Sequence, residues 1–149
     1  MSVCTFIASN SSLPSVSPSK KYPVYINIDT GVIDDGGADD NFYLNEFHDV
    51  DLYSDKEYGV WLEWNYTDGR AKKIINYIKH ALQETDSVEL WHVWLMDYYE
   101  YEDRPIIYHS TISIDNLTIE DIKKLDNENI WKNKDYPNRP SFYCLTITN

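Results

Sequence analysis

One amphipathic helix lies between two strand-like runs, which limits the chain to folds that pack helices on a sheet. Residues 58–64 are rich in the aromatic and β-branched side chains that favour a strand. The helix comes next, with Thr67 or Asp68 as its predicted cap. Residues 88–95 then form an apolar run too short for a helix of its own, which predicts a central strand. The helix has an apolar face of residues at helical spacing: Ala71, Ile74, Ile75, Ile78, Ala81 and Leu82.

The C-terminal part of the chain repeats this alternation. A strand is predicted at residues 106–114 and a last strand at residues 142–148. Between them, Thr118 and Asp121 resemble a capping box that opens a short helix ending at Leu125. The order is therefore strand, helix, strand, strand, helix, strand.

This order is that of the ferredoxin-like β-α-β-β-α-β unit, predicted here over residues 58–148. We expect an α+β fold in which an antiparallel sheet carries both helices on one face. Residues 3–8 and 24–28 are predicted as additional N-terminal strands outside the unit. The length suits a single domain, residues 1–149, with an acidic N-terminal layer at residues 29–57.

That layer, which we call the acidic segment (residues 29–57), carries ten carboxylates against one lysine, in a chain of net charge −12. Within it, residues 34–40 form a turn-prone stretch with two glycines, the acidic turn. A field of one sign repels nucleic acid and attracts a basic protein surface or a cation. The sequence therefore predicts a basic protein partner and no nucleic-acid partner. The binding candidates are Asp34, Asp35, Asp39 and Asp40.

A second candidate surface is the sheet face that carries Trp61 and Glu63, which we call the aromatic face. If this face is exposed, Trp61, Trp91 and Tyr143 are its binding candidates, because apolar patches with polar rims mark interaction sites. If the N-terminal segment covers the face, the same side chains belong to the core. The neighbours expected on this face are Glu89, Trp91, His109, Thr111 and Tyr143.

Catalytic motifs are absent from the sequence. It has no Gly-x-Ser-x-Gly elbow, no phosphate-cradling glycine loop and no His-Glu-x-x-His pair. The alternative is a small hydrolase that uses general acid/base chemistry through Glu63, Glu89, His92 and His109. The four histidines lack metal-ligand spacing and the acidic turn lacks the order of a calcium loop, so no metal or cofactor is predicted. Cys4 and Cys144 are predicted to be buried structural thiols.

The N-terminus lacks the basic region of a signal peptide, and no apolar run is long enough to span a membrane. These features predict a cytoplasmic protein without a membrane partner. Four stretches resemble a family of small uncharacterised cytoplasmic proteins of low-GC Gram-positive bacteria, for which no activity is established. They are residues 4–9 (CTFIAS), 60–71 (VWLEWNYTDGRA), 89–95 (ELWHVWL) and 117–122 (LTIEDI).

The favoured hypothesis is a non-catalytic acidic module that binds a basic protein, by analogy with small acidic immunity and antidote proteins. Its carboxylates would speed the encounter and its aromatic side chains would anchor the complex. Besides the hydrolase, a homodimer in which the aromatic faces of two copies pair is a further alternative, so the chain is expected as a monomer or a homodimer.

Overall fold

A computed structural model describes residues 2–95, 106–131 and 141–149 of the chain. These residues contain eight strands and three helices, with 3-10 turns at Val50–Leu52 and Ile114–Asn116. The elements are β1 (Ser2–Ser9), β2 (Tyr25–Ile26), β3 (Ile33–Asp34), β4 (Tyr43–Glu46), β5 (Tyr58–Glu63), α1 (Asp68–Ala81), β6 (Ser87–Leu95), β7 (Ile106–Ser113), α2 (Ile119–Leu125), α3 (Glu128–Trp131) and β8 (Ser141–Thr148).

The α+β class is confirmed, and both main helices begin where the sequence predicts. The Thr67 hydroxyl accepts a hydrogen bond from the Arg70 amide at 3.1 Å, which caps α1. At the start of α2, the Asp121 carboxylate accepts a hydrogen bond from the Thr118 amide at 2.9 Å. The apolar stripe of α1 faces the sheet. No helix among the described residues is long and apolar enough to cross a membrane.

The strand pairing differs from the predicted ferredoxin-like arrangement. The six-stranded sheet has the order β4-β5-β1-β6-β8-β7. β1 was expected outside the β-α-β-β-α-β unit, but it lies inside the sheet and pairs antiparallel with both β5 and β6. β5 and β6 therefore run parallel to each other on either side of β1, with α1 as their crossover. The prediction that β1 lies outside the unit is wrong, because β1 occupies the position between β5 and β6.

Burial on both faces explains the central position of β1. Phe6, Ile7 and Ala8 are successive residues on this strand, and all three are completely buried. Successive side chains of a strand point to opposite faces, so β1 has an apolar layer on each side. A strand of this kind is stable only in the interior of a sheet that is covered on both faces.

The other departure is that β7 and β8 pair in parallel, whereas the whole sheet was predicted to be antiparallel. The chain between these two strands contains the 3-10 turn, α2 and α3. A crossover of this length is what a parallel pair requires. β8 also pairs antiparallel with β6, so it joins the parallel edge to the rest of the sheet.

The two faces of the sheet carry separate cores. The helices α1 and α2 and the side chain of Trp131 cover one face. The acidic segment covers the other, the aromatic face, by packing Phe47, Val50 and Tyr53 against it. The ring of Phe6 lies 4.6 Å from that of Phe47 and 5.6 Å from that of Tyr53. Of the two interpretations of the aromatic face, the covered one describes the structure.

The predicted strand at residues 24–28 does not join this sheet. Only Tyr25–Ile26 is extended, and it pairs with Ile33–Asp34 as a separate two-stranded unit. We call residues 24–34 the apolar hairpin.

Candidate functional site

The acidic turn is fastened to the start of α1 by a buried arginine. The guanidinium of Arg70 donates to both carboxylate oxygens of Asp35, from Nη1 at 2.9 Å and from Nη2 at 3.0 Å. The Arg70 side chain has no exposed area and that of Asp35 is 17% exposed. This geometry is the bidentate pairing that guanidinium and carboxylate groups favour. The hydrogen bonds from Arg70 and from the Gly37 amide hold the pKa of Asp35 well below its usual range.

Two further hydrogen bonds join the buried guanidinium to backbone carbonyls. Arg70 Nε donates to the carbonyl of Ala38 at 3.0 Å, and Nη1 also donates to the carbonyl of Asn65 at 2.7 Å. The side-chain amide of Asn65 donates to Asp35 Oδ2 at 3.1 Å. A buried charge is tolerated when it is paired and its remaining donors are bonded. Arg70 therefore holds both the conformation and the position of the acidic turn.

The last two carboxylates of the turn also make contacts inside the chain. Asp40 accepts hydrogen bonds from the Ser19 hydroxyl at 2.7 Å and from the Tyr22 hydroxyl. These bonds lower the pKa of Asp40 to about 2. Asp39 lies over the first turn of α1, where a Cβ added to Gly69 would come within 1.8 Å of Asp39 Oδ1. Glycine is therefore the residue that leaves room for this carboxylate.

These contacts separate the four predicted binding carboxylates into an exposed pair and a pair bonded within the chain. Asp34 and Asp39 are exposed, whereas Asp35 and Asp40 are half-buried and bonded to other residues of the chain. Asp34 and Asp39 are therefore more available to a partner than Asp35 and Asp40, and the binding role of the four stays a prediction. A pairing between residues 35 positions apart leaves no local pattern in the sequence, so Arg70 was not identified as the partner.

The apolar hairpin, which comes immediately before the acidic turn, exposes large apolar side chains. Ile26 and Ile33 lie directly opposite each other on the paired strands. Ile28, near the tip, is 93% exposed, and none of the exposed apolar side chains of the hairpin is less than 57% exposed. Contiguous exposed apolar side chains are uncommon on folded proteins and mark interaction sites. The side chains are Val24, Tyr25, Ile26, Ile28, Val32 and Ile33.

Polar contacts fix the conformation of the hairpin tip. The side-chain oxygen of Asn27 accepts from the amides of Asp29 at 3.0 Å and of Thr30 at 3.3 Å, which is an Asx-turn. The amide of Gly31 donates to the carbonyl of Asn27 at 2.8 Å, and Gly31 has a φ of 70°. A left-handed residue at this position closes the turn, and glycine adopts it without steric cost. The apolar side chains thus extend from an ordered turn.

The predicted aromatic binding residues do not share an exposed surface. Trp91 is buried and stacks on Phe6, with ring centroids 5.9 Å apart and an interplanar angle of 5°. Tyr143 lies on the opposite, helix-covered face, where its ring is 5.3 Å from that of Trp131. Trp61 is half-buried at the edge of the aromatic face.

The predicted position of Tyr143 on the aromatic face is wrong. The parity of β8 is the reverse of the one assumed, so Phe142 and Cys144 face the aromatic side instead.

The four residues of the hydrolase alternative are not brought together. His92 is on the helix-covered face, whereas Glu89 is on the aromatic face and bonds to Ser54 and to the indole of Trp91. His109 is exposed on the edge strand β7. Glu63 is exposed at the end of β5, which β1 separates from β6. Alternation along β6 alone places Glu89 and His92 on opposite faces.

His92 has carboxylate partners that sequence reasoning missed. Its Nε2 lies 3.1 Å from Glu128 Oε1, and its Nδ1 lies 3.8 Å from Asp126 Oδ1. The ring of Trp131 packs edge-on against the imidazole at 5.5 Å. These contacts of His92 with Asp126, Glu128 and Trp131 hold the start of α3 on the sheet. Because the two carboxylates lie at opposite edges of the imidazole, they do not converge on a single point that a ligand could occupy.

Both cysteines are buried and free, as predicted. Burial raises the pKa of the Cys4 thiol to about 11 and that of the Cys144 thiol to about 12, so both remain protonated at neutral pH. Among the described residues, no group of three or more His, Cys, Asp or Glu side chains is placed to hold a metal ion.

No protein-family model, curated protein or solved structure matches this chain.

Proposed function

We propose that the chain is a non-catalytic acidic module that binds a basic protein, in the manner of small immunity and antidote proteins. The observation that supports this proposal is the fixed position of the acidic segment on the body of the fold. Arg70 and the packing of Phe47, Val50 and Tyr53 hold the acidic segment on the sheet. An acidic surface in a fixed position presents the same field to every partner that approaches.

Most of the charge on this surface remains available to a partner. Eight of the ten carboxylates in the acidic segment are exposed, and only Asp35 and Asp40 are partly enclosed. Lys56, the one cation of the segment, is half-buried and donates to the Ser87 hydroxyl at 2.8 Å. The exposed carboxylates are Asp29, Asp34, Asp39, Glu46, Asp49, Asp51, Asp55 and Glu57.

The other candidate functions have less support. Glu63, Glu89, His92 and His109 lie on different faces and strands, so we propose no reaction through them. Pairing of two aromatic faces also loses its basis, because the acidic segment already covers that face. The same negative charge disfavours nucleic acid and anionic membranes as partners.

Affinity capture from an extract of the source cell tests the proposal. The immobilised chain is expected to retain a basic protein at low salt and to release it as salt rises, because the field that holds it is screened. The test variant combines Asp29→Asn, Asp34→Asn and Asp51→Asn. The matched control combines Glu84→Gln, Asp86→Asn and Asp115→Asn, which remove the same number of exposed carboxylates from outside residues 29–57.

The test variant should retain much less of the basic protein than the wild type, and the control should retain as much as the wild type. Equal retention by the two triple variants would contradict the proposal, as would failure of the wild type to retain any basic protein.

A further inference from the structure

We infer that the apolar hairpin, residues 24–34, is the anchor of this binding surface, and that it inserts into an apolar recess bordered by lysine or arginine on the partner. The inference rests on the proposed function and adds which element makes the buried contact and what it contacts.

The first step is that the hairpin exposes more large apolar side chains than an ordinary surface turn. Ile26 and Ile33 are paired across the two strands, yet each is at least 60% exposed. A surface turn without a binding role gains nothing from such side chains, which cost solubility and invite association. Burial of large apolar side chains is favourable, so the hairpin has free energy to gain in a complex.

The second step is that the hairpin is already in a defined conformation. The Asn27 side chain and Gly31 fix its tip, and Asp34 at its end leads directly into Asp35, which Arg70 holds. An anchor that is ordered before binding loses less conformational entropy when it is buried. The contact that fixes the acidic turn therefore also fixes the base of the hairpin.

The third step concerns the charge around the anchor. The hairpin itself carries Asp29 and Asp34 and no basic residue, and the acidic turn continues from it. A recess that accepts the apolar side chains would bring its rim close to these carboxylates. Basic residues on that rim would be attracted and acidic residues repelled, so the complementary surface is apolar at its centre and basic at its border.

The same charges argue against other occupants. A second copy would bring two acidic hairpins, from chains of net charge −12, against each other. An anionic bilayer would repel the carboxylates beside the tip in the same way. Of these three occupants, the basic protein is the one that meets both the apolar and the electrostatic requirement.

The experiment uses the basic protein captured by the full chain, after it has been identified and purified. The quantity measured is the dissociation constant of its complex with the wild type and with each variant of the chain. The test variant is Ile28→Ser, and the matched control is Ile130→Ser on α3, an isoleucine that is 60% exposed outside the acidic segment. We expect Ile28→Ser to weaken binding at least tenfold and Ile130→Ser to change it less than twofold. Because Ile28 is 93% exposed, its replacement leaves the fold intact.

A photoreactive benzophenone side chain at Tyr25 identifies the surface that the hairpin touches. We expect one cross-linked partner peptide that contains apolar residues with lysine or arginine close by. Cross-linking to a second copy of the chain, to a peptide without basic residues or to no protein would overturn the inference. So would binding of the wild type to phosphatidylcholine vesicles that Ile28→Ser abolishes, because the anchor would then serve a membrane.

The two proposals fail in different ways. If the triple variant of Asp29, Asp34 and Asp51 weakens binding while Ile28→Ser leaves the dissociation constant unchanged, the acidic module stands and the hairpin anchor is wrong. If neither variant changes binding, both proposals are wrong.

Discussion

Arg70 is a charged residue whose side chain is completely enclosed between α1 and the acidic turn. Its pairing with Asp35 joins two parts of the chain that are 35 positions apart. The geometry is bidentate and two more guanidinium donors reach backbone carbonyls, so the desolvation cost of the charge is offset by its bonds. One residue thus determines where the acidic turn and the base of the hairpin lie.

Replacing Arg70 should therefore destabilise the chain. Arg70→Met leaves the half-buried Asp35 without its charged partner and two backbone carbonyls without their donor. We expect a loss of about 3–5 kcal/mol in the free energy of unfolding, the usual cost of breaking a buried ion pair. Urea denaturation followed by tryptophan fluorescence measures it. Lys72→Met, an exposed position on the same helix, is the control and should cost less than about 1 kcal/mol. Equal losses in the two variants would show that the ion pair contributes no stability.

The depressed pKa of Asp35 predicts how stability depends on pH. A carboxyl whose pKa is lower in the folded than in the unfolded chain contributes stability that is complete above the unfolded pKa, about 4. This contribution is lost as the pH falls toward the folded pKa. The difference in Tm between the wild type and Asp35→Asn should therefore be constant from pH 7 to about 5 and narrow from there to pH 2. A difference that stayed constant down to pH 2 would contradict the assigned ionisation.

At the scale of elements, the local patterns of the chain were sufficient for some features and not for others. Thr67 and the apolar stripe of α1 were predicted correctly because caps and helical periodicity depend on neighbouring residues. The place of β1 was missed, although the run Phe6-Ile7-Ala8 indicates burial on both faces. Strand order depends on contacts between distant segments, which periodicity does not encode.

Local sequence patterns were also insufficient for the hairpin and for the predicted aromatic binding residues. The apolar residues at 24–28 were interpreted as an additional N-terminal strand outside the unit, because an exposed apolar run and a buried one have the same composition. The predicted binding aromatics Trp91 and Tyr143 lie on opposite faces of the sheet. The parity of β8 alone decides this, since a shift of one residue moves Tyr143 to the other face. The acidic segment was identified from sequence because charge needs no partner to be recognised.

The central position of β1 predicts a large effect of a truncation within it. Phe6 is completely buried and packs against Phe47, Tyr53 and Trp91. Phe6→Ala should lower the free energy of unfolding by about 3–5 kcal/mol, through lost burial and the cavity that remains. Val3→Ala on the same strand is the control, with a cost below about 1 kcal/mol because Val3 is 45% exposed. Equal costs for Phe6 and Val3 in urea denaturation would place β1 at an edge instead.

At the scale of the whole molecule, charge and apolar surface are distributed unevenly. Helices cover one sheet face, and the acidic segment packs Phe47, Val50 and Tyr53 on the other. The hairpin exposes a run of adjacent apolar side chains together with the carboxylates of Asp29 and Asp34. The two features that a basic partner would recognise therefore occur together.

This distribution predicts a monomer in the absence of the partner. The covered aromatic face cannot pair, and the acidic hairpins of two copies repel each other. Light scattering at low salt should give a mass near 17.6 kDa, the mass of one chain. A stable species of twice that mass would show that the hairpin or the edge strand β7 serves self-association.

The most direct test of the central claim is the association rate constant with the captured basic protein, measured by stopped flow as ionic strength is varied. We predict a rate that falls steeply with salt in the wild type and in Ile28→Ser, and a slower, flatter dependence in the variant of Asp29, Asp34 and Asp51. Ile28→Ser should differ from the wild type in its dissociation rate instead. A wild-type association rate that does not change with ionic strength would contradict the account, because the acidic surface would then have no part in binding.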